Sequence, residues 1–69
     1  MDKEKRQKSF QNLDKLVKNK GITFYVLAKE LGYSSTLFSD WKSGKSMPKT
    51  DKLLRIAECL GTTVEELIK

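Results

Sequence analysis

The side chains able to do chemistry in this sequence are hydrogen-bonding groups and cations, not nucleophiles. It holds no His and a single Cys, Cys59. That excludes an intramolecular disulfide, a His/Cys zinc site, and a Ser-His or Cys-His catalytic pair. The carboxylates are scattered, and no nucleophile has a base beside it. What is concentrated is a run of small polar residues, Ser34, Ser35, Thr36, Ser39 and Asp40, followed by Lys42, Lys45 and Lys49. Small hydroxyls and a carboxylate on the outer side of a short helix fit a groove about 12 Å wide, the width of the B-DNA major groove. Lysines that follow such a helix stand where phosphates would flank the groove. The expectation is a binding protein, not an enzyme, and one that needs no cofactor or metal.

Length and ionic balance agree. Sixty-nine residues, 38% apolar and 33% charged, suffice for one small domain. The formal net charge of +5 favours anionic partners, nucleic acid first. No apolar run approaches the roughly 18 residues of a spanning helix, and Met1 is followed by Asp2, Lys3 and Glu4 where a signal peptide would be apolar. A soluble, cytoplasmic protein without a membrane partner is expected. The excess charge has two foci: residues 1–22 carry seven Lys and Arg against three acids, and residues 42–52 carry four Lys against Asp51 alone.

The elements that must position these groups are helices. One Pro, four Gly and apolar residues at helical spacing argue for an all-α fold. Phe10, Leu13, Leu16 and Val17 mark one face of a first helix over about residues 6–20, closed by Gly21. Thr23 is an N-cap for a second, with Phe24, Leu27, Ala28 and Leu31 inward and Gly32 at its end. Ser34 then caps a third, with Phe38 and Trp41 inward and Gly44 after it. Pro48 interrupts a loop, and a fourth helix begins near Thr50, burying Leu53, Ile56, Ala57 and Leu60 before Gly61. Thr63-Val64-Glu65-Glu66 fits a reciprocal capping box for a short fifth helix. Cys59 reads as a small, partly buried apolar residue.

The run from Ile22 to Ser34, continued by Ser35 to Lys45, Pro48, Lys52 to Ala57, Gly61 and Thr63 to Leu67, resembles the Cro and lambda-repressor type regulators, the xenobiotic-response-element family. The resemblance spans about residues 8–68. It implies a compact five-helix, lambda-repressor-like domain with a helix-turn-helix at helices 2 and 3, the third entering the major groove. Residues 8–69 would be that domain, and residues 1–7 a charged N-terminal arm. Carried over by position, Ser35, Thr36, Ser39 and Asp40 take base-reading places, with Leu37 against a thymine methyl. Ser34, Ser43, Lys45, Lys42 and Lys49 take phosphate places. Asp40 is the sharpest candidate for discrimination, because a carboxylate accepts from cytosine N4 and repels guanine O6. Two positions depart from the family pattern: Phe24 replaces a frequent, phosphate-contacting Gln, leaving that contact to Thr23, a backbone amide or nothing, and Lys42 replaces a frequent Glu.

The resemblance implies a sequence-specific transcriptional regulator of double-stranded DNA, of phage or prophage repressor type, acting as a homodimer on a two-fold operator. Val64, Leu67, Ile68 or Leu54 would supply the dimer contact of a complete Cro-like protein. Equally, an oligomerising or sensing domain would follow in a longer one. The competing reading is a protein-interaction module, an antitoxin or antirepressor, docking through Tyr33, Leu37 and Met47.

Overall fold

Four glycines with positive φ punctuate the chain, and helices fill the intervals between them. The computed structural model describes residues 3–69, which form five helices and no strand. These are α1 (Lys3–Lys20), α2 (Phe24–Leu31), α3 (Thr36–Ser43), α4 (Thr50–Leu60) and α5 (Val64–Leu67). The all-α, five-helix expectation holds. Among the described residues no helix is long and apolar enough to cross a membrane.

The inward stripes meet in one core. Leu13, Leu27, Trp41, Ile56, Ala57 and Leu67, from all five helices, have no exposed surface. Leu16 and Leu60, expected to be inward, are only half-buried at its edge. Four aromatic rings join the first three helices. Phe10 stacks on Phe24 at 5.0 Å between centroids and meets Trp41 edge-on at 6.0 Å, while Phe24 lies 5.4 Å from Phe38. Offset and edge-on contacts of this kind add to the area each ring buries.

Three helix starts depart from the sequence reading, two in position and one in its cap. Helix α1 begins at Lys3, not near residue 6. Its first turn carries no apolar pattern, but Glu4 complements the helix dipole, and Arg6 and Gln7 are tied to the end of α3. Met1 and Asp2, also placed in the expected arm, lie outside the described residues. Helix α3 begins at Thr36, with Ser35, already at right-handed helical angles, in the cap position. The capping of its first turn still comes from Ser34, whose Oγ accepts from the Thr36 amide at 3.2 Å. The capping box at α5 is half formed: Thr63 Oγ1 accepts from the Glu66 amide at 3.2 Å, but the Glu66 carboxylate faces Lys69 at 3.9 Å instead of returning to Thr63.

Polar side chains of α1 tie down the far ends of three other helices. The last carbonyls of a helix have no partner within it and must find donors elsewhere. Arg6 Nε donates to Gly44 O and Gln7 Nε2 to Ser43 O at the end of α3. Asn12 Nδ2 donates to Glu66 O and Leu67 O at the end of α5, and Lys20 Nζ to Cys59 O near the end of α4. A fourth link is buried: Trp41 Nε1 donates to Ser9 Oγ at 2.8 Å, and Ser9 Oγ donates in turn to Arg6 O at 2.8 Å.

Removing the Ser9 hydroxyl leaves a buried indole N–H unsatisfied, which costs about 1–3 kcal/mol. Ser9→Ala is expected to lower stability by that amount in urea unfolding. In a Trp41→Phe background, where the donor is already gone, the same substitution should cost much less; equal costs in both backgrounds would show that the bond contributes nothing.

Candidate nucleic-acid interface

The candidate residues cluster because a single tight turn joins α2 to α3. Thr23, extended, accepts from the Val26 amide at 3.2 Å through Oγ1 and starts α2. Gly32, at φ +73°, lets the chain leave α2 in the left-handed region, which Cβ-bearing residues rarely occupy, and the Tyr33 amide returns to Ala28 O at 2.9 Å. Ser34 then redirects the chain into α3.

Once Phe38 and Trp41 are buried, the remaining positions of α3 are fixed by helical spacing. Thr36, Ser39, Asp40 and Ser43 fall at i, i+3, i+4 and i+7, a single outward stripe. Ser34, Ser35, Thr36 and Ser39 are exposed, as are Lys42, Ser43, Lys45 and Lys49; Asp40 is half-buried. Asp40 is within ion-pair distance of no cation among the described residues, where the pairs are Asp14 with Lys18 and Glu66 with Lys69. Its carboxylate is therefore not absorbed by a neighbouring lysine.

Several candidates have a structural duty as well. Ser43 Oγ donates to Asp40 O at 3.0 Å and accepts from the Lys45 amide at 3.4 Å, so its proton is already engaged within the protein. The Lys45 amide donates to Asp40 O at 2.9 Å, which leaves its ammonium as the group available outside. Thr23 Oγ1 serves its helix cap. Leu37 is half-buried and lines a surface groove of about 470 Å³ with Met47, Pro48 and Lys49, packing sideways as well as outward. Lys42 borders a smaller depression lined also by Phe10, Asp14, Phe24, Phe38 and Ser39.

Two features of the surface were not read from the sequence. The ring of Tyr33, in the turn between α2 and α3, lies under two cations of α4, Lys52 Nζ at 5.3 Å and Arg55 at 5.5 Å from its centroid. Their i, i+3 spacing was legible, but the partner, some 20 residues away, was not. The other is the contact of Arg6 and Gln7 with the end of α3. Tyr33, Leu37 and Met47, offered as an exposed docking set, are all half-buried. Leu67, a candidate dimer contact, has no exposed surface and cannot serve as one, because its side chain fills the core.

Comparison with known proteins follows the same lines. Residues 12–69 match the Cro/C1-type HTH DNA-binding domain family. The HTH-type transcriptional activator BcrR of Enterococcus faecalis is 34% identical over 58 residues, which are 84% of this chain and 28% of that protein. The chain thus spans less than a third of that relative's length. No solved structure matches it.

Cys59 stands apart from this surface and is half-buried, as expected. Burial, together with its hydrogen bond at 3.3 Å to Glu30 Oε2 and the charge of that carboxylate, pushes its thiol above the ordinary value, against a smaller opposing effect of Lys20. A raised value leaves less thiolate at a given pH, and the thiolate is the nucleophile. Alkylation of Cys59 by iodoacetamide near pH ~8 is expected to be slower than that of a free cysteine and faster in a Glu30→Gln variant. Mass spectrometry against time checks both; a wild-type rate matching the free thiol would refute the direction.

Proposed function

Since the chain belongs to the Cro/C1-type HTH DNA-binding domain family, we propose that it reads operator DNA with α3 as a homodimer and acts as a repressor of the phage or prophage type. The observation that carries this reading is the division of α3. Phe38 and Trp41 hold it to the core, while Thr36, Ser39, Asp40 and Ser43 form an uninterrupted outward polar stripe beside the exposed Lys42, Lys45 and Lys49. Such a helix seats in the major groove with its small side chains against base edges and the lysines against the flanking phosphates.

The roles divide by chemistry. Ser35, Thr36 and Ser39 donate to and accept from base edges, Asp40 accepts from cytosine N4, and Leu37 packs on a thymine methyl from the side of the helix. Thr23, Ser34, Lys42, Ser43, Lys45 and Lys49 hold the backbone, with the three lysines supplying the charge. A two-turn helix spans about four or five base pairs, too few to single out one genomic site, so two copies on a two-fold operator are required. Leu54, half of whose surface is exposed, together with the partly exposed Val64 and Ile68, supplies the apolar contact between copies. Bound across a promoter, such a dimer blocks initiation.

A second reading is favoured by one observation: the relative from Enterococcus faecalis is named an activator. In that reading the same DNA contacts serve to present Glu65 and Glu66, both exposed on α5, to the transcription machinery. The protein-interaction reading, with an antitoxin or antirepressor role, predicts no DNA binding at all.

Selection from random duplex DNA by the purified chain, followed by anisotropy of the winning and a scrambled duplex across a salt series, tests the proposal. The expected result is an enriched two-fold motif bound well above the scramble, both weakening steeply with salt. Absence of binding at low salt would refute the DNA reading and bring the protein-partner reading forward.

Two substitutions separate the roles. Lys45→Ala should weaken binding to every sequence and reduce the salt slope by about one. Asp40→Ala should relax preference at one base pair by about 1–3 kcal/mol and leave the others unchanged; an unaltered motif would remove Asp40 from the reading set. Both must be judged on folded protein, because Trp41→Ala would abolish binding merely by costing about 3–5 kcal/mol of core packing.

A further inference from the structure

We infer that Arg6 and Gln7 are positioning residues for DNA recognition: the first turns of α1 clamp the C-terminal end of α3 and set how its outward stripe meets the bases. The inference rests on the DNA reading above and extends it to residues that do not lie on α3. Both precede residue 12, where the family match begins.

Helix α3 is only eight residues long, too short to be stable on its own, so its direction is set by whatever holds its two ends. Ser34 caps the start. At the other end Gly44 turns the chain at φ +80°, and the amides of Lys45 and Ser46 return to Asp40 O. The carbonyls of Ser43 and Gly44 receive Gln7 Nε2 at 3.2 Å and Arg6 Nε at 2.9 Å from 36 and 38 residues away. A guanidinium at this place also complements the negative end of the helix dipole.

The packing around these bonds is close. A Cβ on Gly44 would collide with Lys3 Cγ, lie 3.0 Å from Lys3 O and lie 3.1 Å from Gln7 Cγ. Only a glycine lets the end of α3 approach the backbone of α1 this nearly. Lys3, Arg6, Gln7 and Phe10 fall at i, i+3, i+4 and i+7, one stripe of α1. Its first three residues meet the Ser43–Gly44 end, and Phe10 meets Trp41 a turn deeper.

The consequence falls on discrimination. Hydrogen bonds to base edges require donors and acceptors to be held to within a fraction of an ångström, whereas attraction of a lysine to phosphate tolerates displacement. Releasing the end of α3 therefore erodes preference among sequences while leaving general affinity for duplex DNA in place.

Three variants test this. Gln7→Leu removes a donor without changing charge, Arg6→Met removes donor and charge, and Arg6→Lys keeps both. The first readout is hydrogen exchange at the Lys45 and Ser46 amides, with the Leu27 amide of α2 as internal reference. The second is preference for the selected over the scrambled duplex across a salt series. In Gln7→Leu and Arg6→Met the two amides at the end of α3 should exchange about tenfold faster with Leu27 unchanged. Preference should fall about tenfold, with the salt slope on scrambled DNA preserved. Arg6→Lys should stay near wild type. Equal acceleration at Lys45, Ser46 and Leu27 would indicate general loosening and overturn the inference. So would a salt slope lowered by about one in Arg6→Met with preference intact, which would make Arg6 a phosphate contact. A wild type that selects no duplex removes the DNA reading and the inference together, whereas a selective wild type beside an equally selective Gln7→Leu variant overturns the inference alone.

Discussion

The indole N–H of Trp41 is buried beyond the reach of water, and the arrangement of the whole domain follows from where its acceptor lies. An unsatisfied donor at that depth would cost a sizeable part of the few kcal/mol by which so small a domain is stable. Ser9 Oγ fills the need at 2.8 Å and donates its own hydrogen bond to Arg6 O. The bond fixes α1 along α3 in both position and rotation, since a hydroxyl one residue away along α1 would point to another side. Once that register is set, Phe10 meets Trp41 edge-on and stacks on Phe24, and Phe24 reaches Phe38. The helix-turn-helix pair is thus braced from behind by one ring stack and one buried hydrogen bond.

The same register explains the departure at Phe24. A side chain at the first position of α2 that faced a phosphate would be polar and outward. Here the position closes the gap between Phe10 and Phe38, and an aromatic ring is the residue that spans it. The cationic side chain at position 42 borders the depression these rings line, together with Asp14. Packing has taken over one place and a positive charge another, so this flank of α3 is built differently from the pattern the chain resembles.

Most of the fold was legible because it is written in local signals. Gly21, Gly32, Gly44 and Gly61 stand where the helices stop, Thr23 and Thr63 cap where they start, and the apolar spacing marks the inward faces. The polar stripe of α3 follows from Phe38 and Trp41 being inward. What could not be read is whatever depends on a partner far along the chain. Lys3, Arg6 and Gln7 look like part of a solvated polar run until the end of α3 is seen against them. Ser9 is an ordinary helix-surface serine until the indole is placed, and Tyr33 shows no reason to collect Lys52 and Arg55. The half-formed capping box at Thr63 belongs to the same class, because Glu66 had a competing cation in Lys69 that the motif alone does not rank.

Asp40 shows how a surface of this kind can carry chemistry without risking the fold. Its backbone carbonyl accepts from the Lys45 amide, the Ser46 amide and Ser43 Oγ, which makes it the acceptor on which the end of α3 closes. Its carboxylate takes part in none of these bonds and in no ion pair among the described residues. The structural duty thus lies with the main chain, which any residue supplies, and the side chain is left for the base contact proposed above. Ser43 differs, because its hydroxyl is itself part of the closure. Along the outward stripe, then, positions are unequal in what they can give up. Thr36, Ser39 and Asp40 can change identity at little structural cost, while Ser43 and Gly44 are tied to α1, and it is through them that the core dictates where the outward stripe points.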